Sequence, residues 1–234
     1  MTKVPCTYSD EDVLAFVAGD LAAKDALAMA LHFGECVPCR QQAAEFTALH
    51  RTLGTCTDDD VVRWHGFETP FGRTYAAATG AGVARISWRE AEPDAFEGGL
   101  EKSFPGRPVI HERRGLETAE LQLAEYFAGR RARFDLPIDL AAVSEFDRQV
   151  LAVVGGIPFG GVLTYADIAR RIGVPSAARA VGNAVGRNPA PIVVPCHRVV
   201  RSDGTLGGYS GGGVEYKRRL LAIEGAGDLF VDAT

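Results

Sequence analysis

Residues 190–212 of the chain read APIVVPCHRVVRSDGTLGGYSGG. A run of apolar β-branched residues between two prolines is typical of a short buried strand, which we expect at residues 192–194. The run is followed by Cys196, His197 and Arg198 and then by a glycine-rich loop. Because a hydrophobic core has no need of a thiol, an imidazole and a guanidinium at its edge, the stretch indicates chemistry.

Two short helices are predicted ahead of this stretch. Thr164 and Asp167 have the spacing of a capping box, which predicts a helix from there through Ile172, with Gly173 closing it. The segment SAARAVGNAVGR, residues 176–187, predicts a second helix that ends before a proline. Two short helices joined by a tight turn are typical of a helix-turn-helix unit.

The second of these helices carries almost no bulky apolar side chains. Such a helix either packs closely in a core or presses its backbone into a narrow groove, with Arg179 projecting from it. The motif alone leaves both interpretations open.

The C-terminal third resembles the methylguanine-DNA methyltransferase family of direct-reversal DNA repair proteins. Its PCHRVV segment matches the active-site signature of that family, and four further motifs stand around it in the family's order: TYADIARRIG, ARAVGNAVGRNP, GYSGG and LLAIEG. Five ordered motifs are a far more specific signal than a Cys-His pair alone, which also occurs in metal sites. Residues 66–140 resemble the sheet domain of the family more weakly.

The resemblance implies a single-turnover alkyl transfer to the protein itself. A soft thiolate suits attack on the first carbon of an alkyl group at guanine O6, and by the resemblance Cys196 is that nucleophile and keeps the alkyl group as a thioether. Neighbours on an extended chain point to opposite sides, so direct contact between Cys196 and His197 is awkward. The family places a water between thiol and imidazole and a glutamate behind the imidazole, and Glu224 in LLAIEG matches that glutamate. Without the resemblance, Glu224 would be interpreted as a surface carboxylate near a helix end.

The resemblance also implies which residues bind DNA. A base inside a duplex is out of reach, so the modified nucleotide is flipped into a pocket. Arg179 matches the arginine that fills the vacated stack, and Tyr165 matches a tyrosine that contacts the flipped nucleotide. Asn188 matches an asparagine that ties the recognition helix to the active-site strand, while Tyr209 and Ser210 match the loop that walls the pocket and hydrogen-bonds O6. The family enters the minor groove, which suits a helix of small residues.

One segment departs from the family pattern. Between YSGG and LLAIEG the chain carries GVEYKRR, which is slightly longer than the pattern, so the lysine usually found there would be Lys217, shifted along the chain. The departure bears on the shape of the loop and on which alkyl groups fit. It does not bear on the chemistry of Cys196.

A second group of metal-ligating residue types lies near the N-terminus. HFGECVPC gives His32, Cys36 and Cys39 in an H-x3-C-x2-C pattern, and Cys6 lies further upstream. Three thiolates and an imidazole make a tetrahedral zinc set, and the array resembles the zinc-binding anti-sigma family, including a VLAFVAGDLA helix ahead of the ligands. The alternative is three buried cysteines and an incidental histidine in a helical bundle. We favour zinc, because so small a helical domain gains stability from a metal.

The predicted fold class is α+β, with three domains. Residues 1–57 form a small helical domain that resembles zinc-binding anti-sigma factors. Residues 58–140 form a linker and the small sheet domain, and residues 141–234 form the helix-turn-helix domain that binds DNA and carries the active site.

Within the middle domain, segments 74–78 and 83–88 have the composition of strands between turn residues. Residues 117–128 have the periodicity of a helix. Four apolar residues are expected to form its buried stripe: Leu121, Leu123, Ala124 and Phe127.

The composition limits the class of protein. The chain has 234 residues, a formal net charge of −5 and a mean hydropathy of +0.01, which are ordinary values for a soluble protein. No apolar run approaches the ~18 residues that span a bilayer, and the start lacks the apolar segment of a signal peptide. Five cysteines without even spacing fit a reducing compartment, so we expect a cytoplasmic protein with no membrane partner.

Two functions from different classes remain. The leading one is an enzyme that moves a methyl or larger alkyl group from O6-alkylguanine in double-stranded DNA to its own cysteine, without a cofactor. The alternative is a zinc-dependent anti-sigma-type regulator that binds a sigma factor through its first domain and uses the rest as a DNA lesion sensor. Non-reactive relatives lack the cysteine, so Cys196 favours the enzyme. A thiol hydrolase is less favoured, because no oxyanion-hole arrangement is evident.

Overall fold

The computed structural model describes residues 8–53, 60–90 and 92–227. The chain divides into two compact units, residues 1–57 and residues 58–234. No helix in these described ranges is long and apolar enough to cross a membrane.

The described part of the first unit, residues 8–53, contains three helices: α1 (Asp10–Ala18), α2 (Ala23–Glu35) and α3 (Val37–Leu53). Ser9 caps α1, because its hydroxyl accepts the backbone N–H of Asp12 while the Asp12 carboxylate accepts the backbone N–H of Ser9. The buried apolar residues in this described part are Val13, Met29, Cys39 and Ala43. So small a core contributes little stability by itself.

The second unit begins with a four-stranded sheet. Its strands are β1 (Val62–Thr69), β2 (Gly72–Thr79), β3 (Gly82–Ser87) and β4 (Val109–His111), in the order β3-β2-β1-β4. β1, β2 and β3 pair antiparallel, and β4 adds to β1 in parallel. α4 (Pro93–Ser103) packs Phe96 and Leu100 against Trp64 and Tyr75 of the sheet. The sequence predicted β2 and β3 and missed β1, β4 and α4.

α5 (Glu117–Phe127) lies at the predicted position, but its buried face differs from the predicted one. Leu121 is 59% exposed and Ala124 is also exposed, whereas Leu123 and Tyr126 are buried. Residues three or four positions apart share one side of a helix, so Leu123 and Tyr126 face the core together while Leu121 and Ala124 face solvent. The prediction that Leu121 and Ala124 are buried was wrong, because it followed hydrophobicity and ignored that Tyr126 continues the buried spacing.

The last part of the second unit is mainly helical. It contains α6 (Glu145–Gly155), β5 (Leu163–Thr164), α7 (Tyr165–Arg171), α8 (Ala178–Gly186), β6 (Val199–Val200) and α9 (Val214–Ile223). The capping box of Thr164 and Asp167 at the start of α7 is confirmed. α8 starts slightly later than predicted and packs against both α6 and α7. One hydrophobic core joins these helices to α5 and the sheet.

Residues 192–194 do not form the predicted strand. Pro191 and Val194 make a single bridge across a turn, and Ile192 has a φ of 73°, a left-handed conformation. The side chain of Asn188 holds this turn, since its amide donates to the carbonyl oxygen of Val194 and its oxygen accepts a backbone N–H of the same segment. The apolar pattern correctly predicts that Ile192 is buried. It does not predict the backbone, because a left-handed β-branched residue persists only where tertiary contacts impose it.

Candidate active site around a buried cysteine

Cys196, His197 and Arg198 form a single turn of 3-10 helix between the turn at Ile192 and β6. All three side chains are buried. The expected extended backbone was therefore wrong here. In a 3-10 turn, successive side chains are rotated by about 120° and not by 180°, so Cys196 and His197 diverge without facing opposite sides.

A cavity of about 220 Å³ lies against Cys196. Its lining includes Tyr165, Tyr209 and Ser210, three of the residues predicted to contact the flipped nucleotide. Gly182 of α8 also lines it, and a Cβ at that position would lie 3.8 Å from the ring of Tyr165. The fold thus brings four predicted site residues, Cys196 included, to the lining of one cavity.

The groups around Cys196 act on the pKa of its thiol in opposite directions. Burial raises the pKa of the thiol, while the side chain of Asn188, the charge of Lys217 and the hydroxyl of Tyr209 lower it. The Tyr209 hydroxyl affects the pKa of the thiol although it makes no hydrogen bond of normal geometry to any residue in the described part of the chain. A nearby cation favours a thiolate, the form of cysteine that attacks carbon.

Lys217 supplies that cation. Its side chain is completely buried, and its ammonium donates to the backbone carbonyl oxygens of Val199 and Leu206. Burial lowers the pKa of Lys217 to about 8. Lys217, which is shifted by one position from the family pattern, therefore lies against the segment that contains Cys196.

Glu224 holds His197 and Arg198 together. Oε1 of Glu224 lies 2.8 Å from Nε2 of His197, and Arg198 donates from Nε and Nη2 to the two carboxylate oxygens over 2.9 Å each. Burial alone would raise the pKa of Glu224, but the hydrogen bonds from His197 and Arg198 hold it at about 2. Because Glu224 is 6% exposed, its interpretation as a surface carboxylate is wrong.

Gly160 completes the surroundings of Glu224. Its backbone N–H donates to Oε2 of Glu224 over 3.1 Å. Its φ is 72°, and a Cβ there would come within 3.0 Å of the backbone carbonyl oxygen of Glu224. Only glycine fits this close approach without strain.

The surroundings of His197 define which nitrogen of its ring carries the proton. Burial lowers the pKa of His197 and so favours the neutral ring, whereas Glu224 acts in the opposite direction and raises the pKa. Nε2 faces a carboxylate, which can only accept, so Nε2 carries the proton and Nδ1 is left bare. Nδ1 has no hydrogen-bond partner among the residues that the structure describes.

Tyr126 belongs to the same network and was missed by sequence reasoning. Its hydroxyl lies 2.8 Å from Oε1 of Glu224 and 3.4 Å from Nε2 of His197. No local motif joins Tyr126 to Glu224, since 98 positions separate them. The usable signal was the helical spacing of α5, which buries Tyr126, together with the need of a buried phenol for a hydrogen-bond partner.

Two predicted DNA-contacting residues lie outside the cavity. Asn188 holds the turn that precedes Cys196. Arg179 is exposed near the start of α8, and the other exposed positions of that helix carry short side chains: Ala180, Asn183 and Gly186. α8 therefore presents one long cationic side chain on a surface of otherwise short side chains.

Three of the four predicted metal ligands come together in the first unit. The ligand atoms of His32, Cys36 and Cys39 all lie within 4.8 Å of one another, at the junction of α2 and α3. Tetrahedral zinc holds such atoms about 3.5–3.8 Å apart, so small side-chain shifts would bring these donors to bonding distance. Cys6, the fourth predicted ligand, lies outside the described residues.

The sequence is similar to known methyltransferases. Residues 145–226 match the family described as 6-O-methylguanine DNA methyltransferase, DNA binding domain. The chain is 44% identical over 141 residues to the methylated-DNA–protein-cysteine methyltransferase of Mycolicibacterium paratuberculosis, a match that covers 60% of this chain and 72% of that protein. It is 36% identical over 150 residues to the inducible methylated-DNA–protein-cysteine methyltransferase of Bacillus subtilis, covering 64% of this chain and 83% of that protein.

The fold is similar to solved structures as well. The O6-methylguanine methyltransferase of Mycobacterium tuberculosis matches with a TM-score of 0.59 and 34% identity, over 74% of this chain and 97% of that one. The OGT of the same organism in complex with DNA matches with a TM-score of 0.59 and 32% identity, over 72% of this chain and 94% of that one.

Proposed function

The chain belongs to the methylated-DNA–protein-cysteine methyltransferase family, and we propose that Cys196 is the residue that takes the alkyl group from DNA. The reaction is direct-reversal repair: an alkyl group on O6 of guanine moves to a cysteine of the protein, irreversibly and once per molecule. The observation that supports this proposal is that Cys196 lines a cavity beside the buried charge of Lys217. The other described cysteines, Cys36 and Cys39, lie in the first unit.

We propose that His197 and Glu224 activate the thiol. Nδ1 of His197 takes the proton of Cys196 through a bridging water, and Glu224 stabilises the imidazolium that results. The thiolate then attacks the first alkyl carbon, so that a sulfur–carbon bond forms as the bond from that carbon to O6 breaks. The proton given up by the thiol passes to the departing base, which is left as unmodified guanine.

We propose that α7 and α8 are a helix-turn-helix unit that enters the minor groove. The short side chains on the exposed face of α8 support this, because bulky side chains would keep a helix out of a narrow groove. Cys196 is 3% exposed, so a base must leave the duplex to reach it. Arg179 would then fill the vacated stack, with Tyr165 and the loop of Tyr209 enclosing the flipped base.

In the first unit we propose a structural zinc ion bound by Cys6, His32, Cys36 and Cys39. The donor set of thiolates and an imidazole suits zinc, and the small core of this unit would gain from a metal. Alkyl transfer in this family needs no cofactor, so the ion would serve folding alone. The relatives reported above are methyltransferases and not anti-sigma factors, so a sigma factor as partner has no support from them.

Measurement of intact mass tests the assignment of the nucleophile. Protein mixed with duplex DNA that contains O6-methylguanine should gain the mass of one methyl group, on the peptide that contains Cys196. The Cys196→Ala variant should lose transfer and keep DNA binding, and Cys196→Ser should be nearly inactive because a hydroxyl is a far weaker nucleophile than a thiolate. A methyl group found on Cys36 or Cys39 would refute the assignment.

A further inference from the structure

Tyr126 places a hydroxyl on the carboxylate oxygen that also faces the imidazole. This oxygen, Oε1 of Glu224, lies 2.8 Å from the Tyr126 hydroxyl and 2.8 Å from Nε2 of His197. The ring of Tyr126 is fully buried and packs against the rings of Phe134 and Phe159. Because packing fixes the ring, it also fixes where the hydroxyl points.

Hydrogen-bond chemistry decides the direction of each contact. The ionised carboxylate of Glu224 can only accept, so Tyr126 must donate to it. Burial and the neighbouring charge of Glu224 raise the pKa of Tyr126, so the phenol keeps the proton that it donates. Its oxygen can then only accept from the second neighbour, Nε2 of His197, at 3.4 Å. Both neighbours of Nε2 are therefore acceptors, which fixes the proton of the ring on Nε2 and leaves Nδ1 bare.

The same hydroxyl moderates how strongly the carboxylate acts on the ring. The titratable groups that face His197 are Glu224 and Tyr126 from other elements, Arg198 of its own turn and Lys217 of α9. Burial lowers the pKa of His197 most, Glu224 raises it, and Arg198 and Lys217 lower it further. If the Tyr126 hydroxyl no longer donated to Oε1 of Glu224, more of the carboxylate charge would act on the imidazole, and the pKa of His197 would rise.

We propose that Tyr126 is a positioning residue of the alkyl transfer, whose hydroxyl holds Glu224 so that His197 offers an unprotonated Nδ1 for the proton of the thiol. This role rests on the proposed function of Cys196 and His197. It extends the site beyond residues 145–226, the segment matched by the DNA-binding-domain family, and into α5.

The Tyr126→Phe variant tests the proposal, because it keeps the packed ring and removes the hydroxyl alone. Methyl transfer from O6-methylguanine DNA at neutral pH should slow about tenfold. The acid limb of the rate–pH profile should move to higher pH, since the rate requires a neutral His197 and its pKa rises. Tyr75→Phe is the matched control, a buried tyrosine in the cluster of Trp64 and Phe96, and should change neither quantity. An unchanged rate, or a slower rate with an unshifted profile, would overturn the proposal.

A second measurement requires neither a variant nor methyl transfer. Nitrogen NMR of the unmodified protein, labelled with ¹⁵N histidine, should show the proton of His197 on Nε2 and a bare Nδ1. A proton on Nδ1 overturns the role of Tyr126 even if Tyr126→Phe does not fold. Failure of the parent protein to place a methyl group on Cys196 would instead refute the proposed function, and the NMR result would still decide the tautomer.

Discussion

The indole N–H of Trp88 donates to the carbonyl oxygen of Gly211 over 2.6 Å, across 123 positions of sequence. Trp88 directly follows β3, and Gly211 follows Tyr209 and Ser210 in the loop that walls the cavity. A Cβ at Gly211 would come within 2.8 Å of the Tyr209 ring, so the loop is tightly folded on that side chain. The sheet therefore holds in place one wall of the cavity that Cys196 lines.

The Trp88→Phe variant should slow alkyl transfer about three- to tenfold, because a hydrogen bond of this kind contributes about 1 kcal/mol. The replacement keeps an aromatic ring to pack on Phe71, which lies 5.5 Å away between centroids. Trp64→Phe is the control, since Nε1 of Trp64 is buried without a partner in the described part of the chain. Single-turnover rates measure both variants, and equal slowing in the two would contradict a specific role of the loop contact.

Arg179→Ala should slow repair of duplex DNA by more than about tenfold, because unstacking a base costs a few kcal/mol that the arginine would help to offset. Transfer from a free O6-alkylated guanine base should change much less, as no base need be flipped. Arg130→Ala removes an exposed charge outside α7 and α8 and serves as the control for general attraction to DNA. Equal losses on both substrates would mean that Arg179 supports the fold and not the flip.

Acid should remove the stabilising effect of Glu224. Its folded-state pKa of about 2 lies below the ordinary value of 4.5, so its contribution is complete above pH 4.5 and is lost as the pH falls toward 2. We expect this contribution to reach about 3 kcal/mol of unfolding free energy. Urea unfolding of the parent protein and of Glu224→Gln should show a gap in stability at pH 6 that narrows at pH 3. An equal gap at both pH values would show that the charge of Glu224 is not what stabilises the fold.

Purified protein should carry one zinc ion per chain, and the double variant Cys36→Ser/Cys39→Ser should carry none. Because thiolate ligation contributes to folding, chelation should melt the helices of the first unit. The second unit has its own core and its own nucleophile, so the double variant should transfer methyl groups at nearly the parent rate. Zinc content is measured beside the transfer rate. Normal zinc in the variant would rule out the site, and loss of both zinc and transfer would show that the two units depend on each other.

The features that the sequence predicted correctly are those encoded by close neighbours. Thr164 and Asp167 are three positions apart, and their capping box formed as expected. His32 and Cys39 lie in two consecutive helices and Cys36 lies between these helices, so their spacing brings the three side chains together. Short-range geometry is fixed by the backbone, and a motif can therefore report it.

The features that were missed depend on contacts between distant segments. The strand expected at Ile192 became a turn because Asn188 binds the backbone there, and α5 turned out to bury Tyr126 and expose Leu121. The contacts of Tyr126 with Glu224 and of Trp88 with Gly211 have no local signature, since loop closure over such distances depends on the whole core. The helical spacing of residues 119, 123 and 126 indicates that Tyr126 is buried. It does not indicate that Glu224 is the hydrogen-bond partner of Tyr126.

The wide separation of the network's members has a consequence for the newly made chain. On the ribosome, Tyr126 emerges first, His197 follows, and Glu224 is added another 27 positions later. Until then the proposed proton acceptor of Cys196 is not assembled, and Lys217 is added only seven positions before Glu224. Because the groups proposed to activate Cys196 come from segments this far apart, the site for alkyl transfer assembles only after translation has passed residue 224 and the second unit has closed.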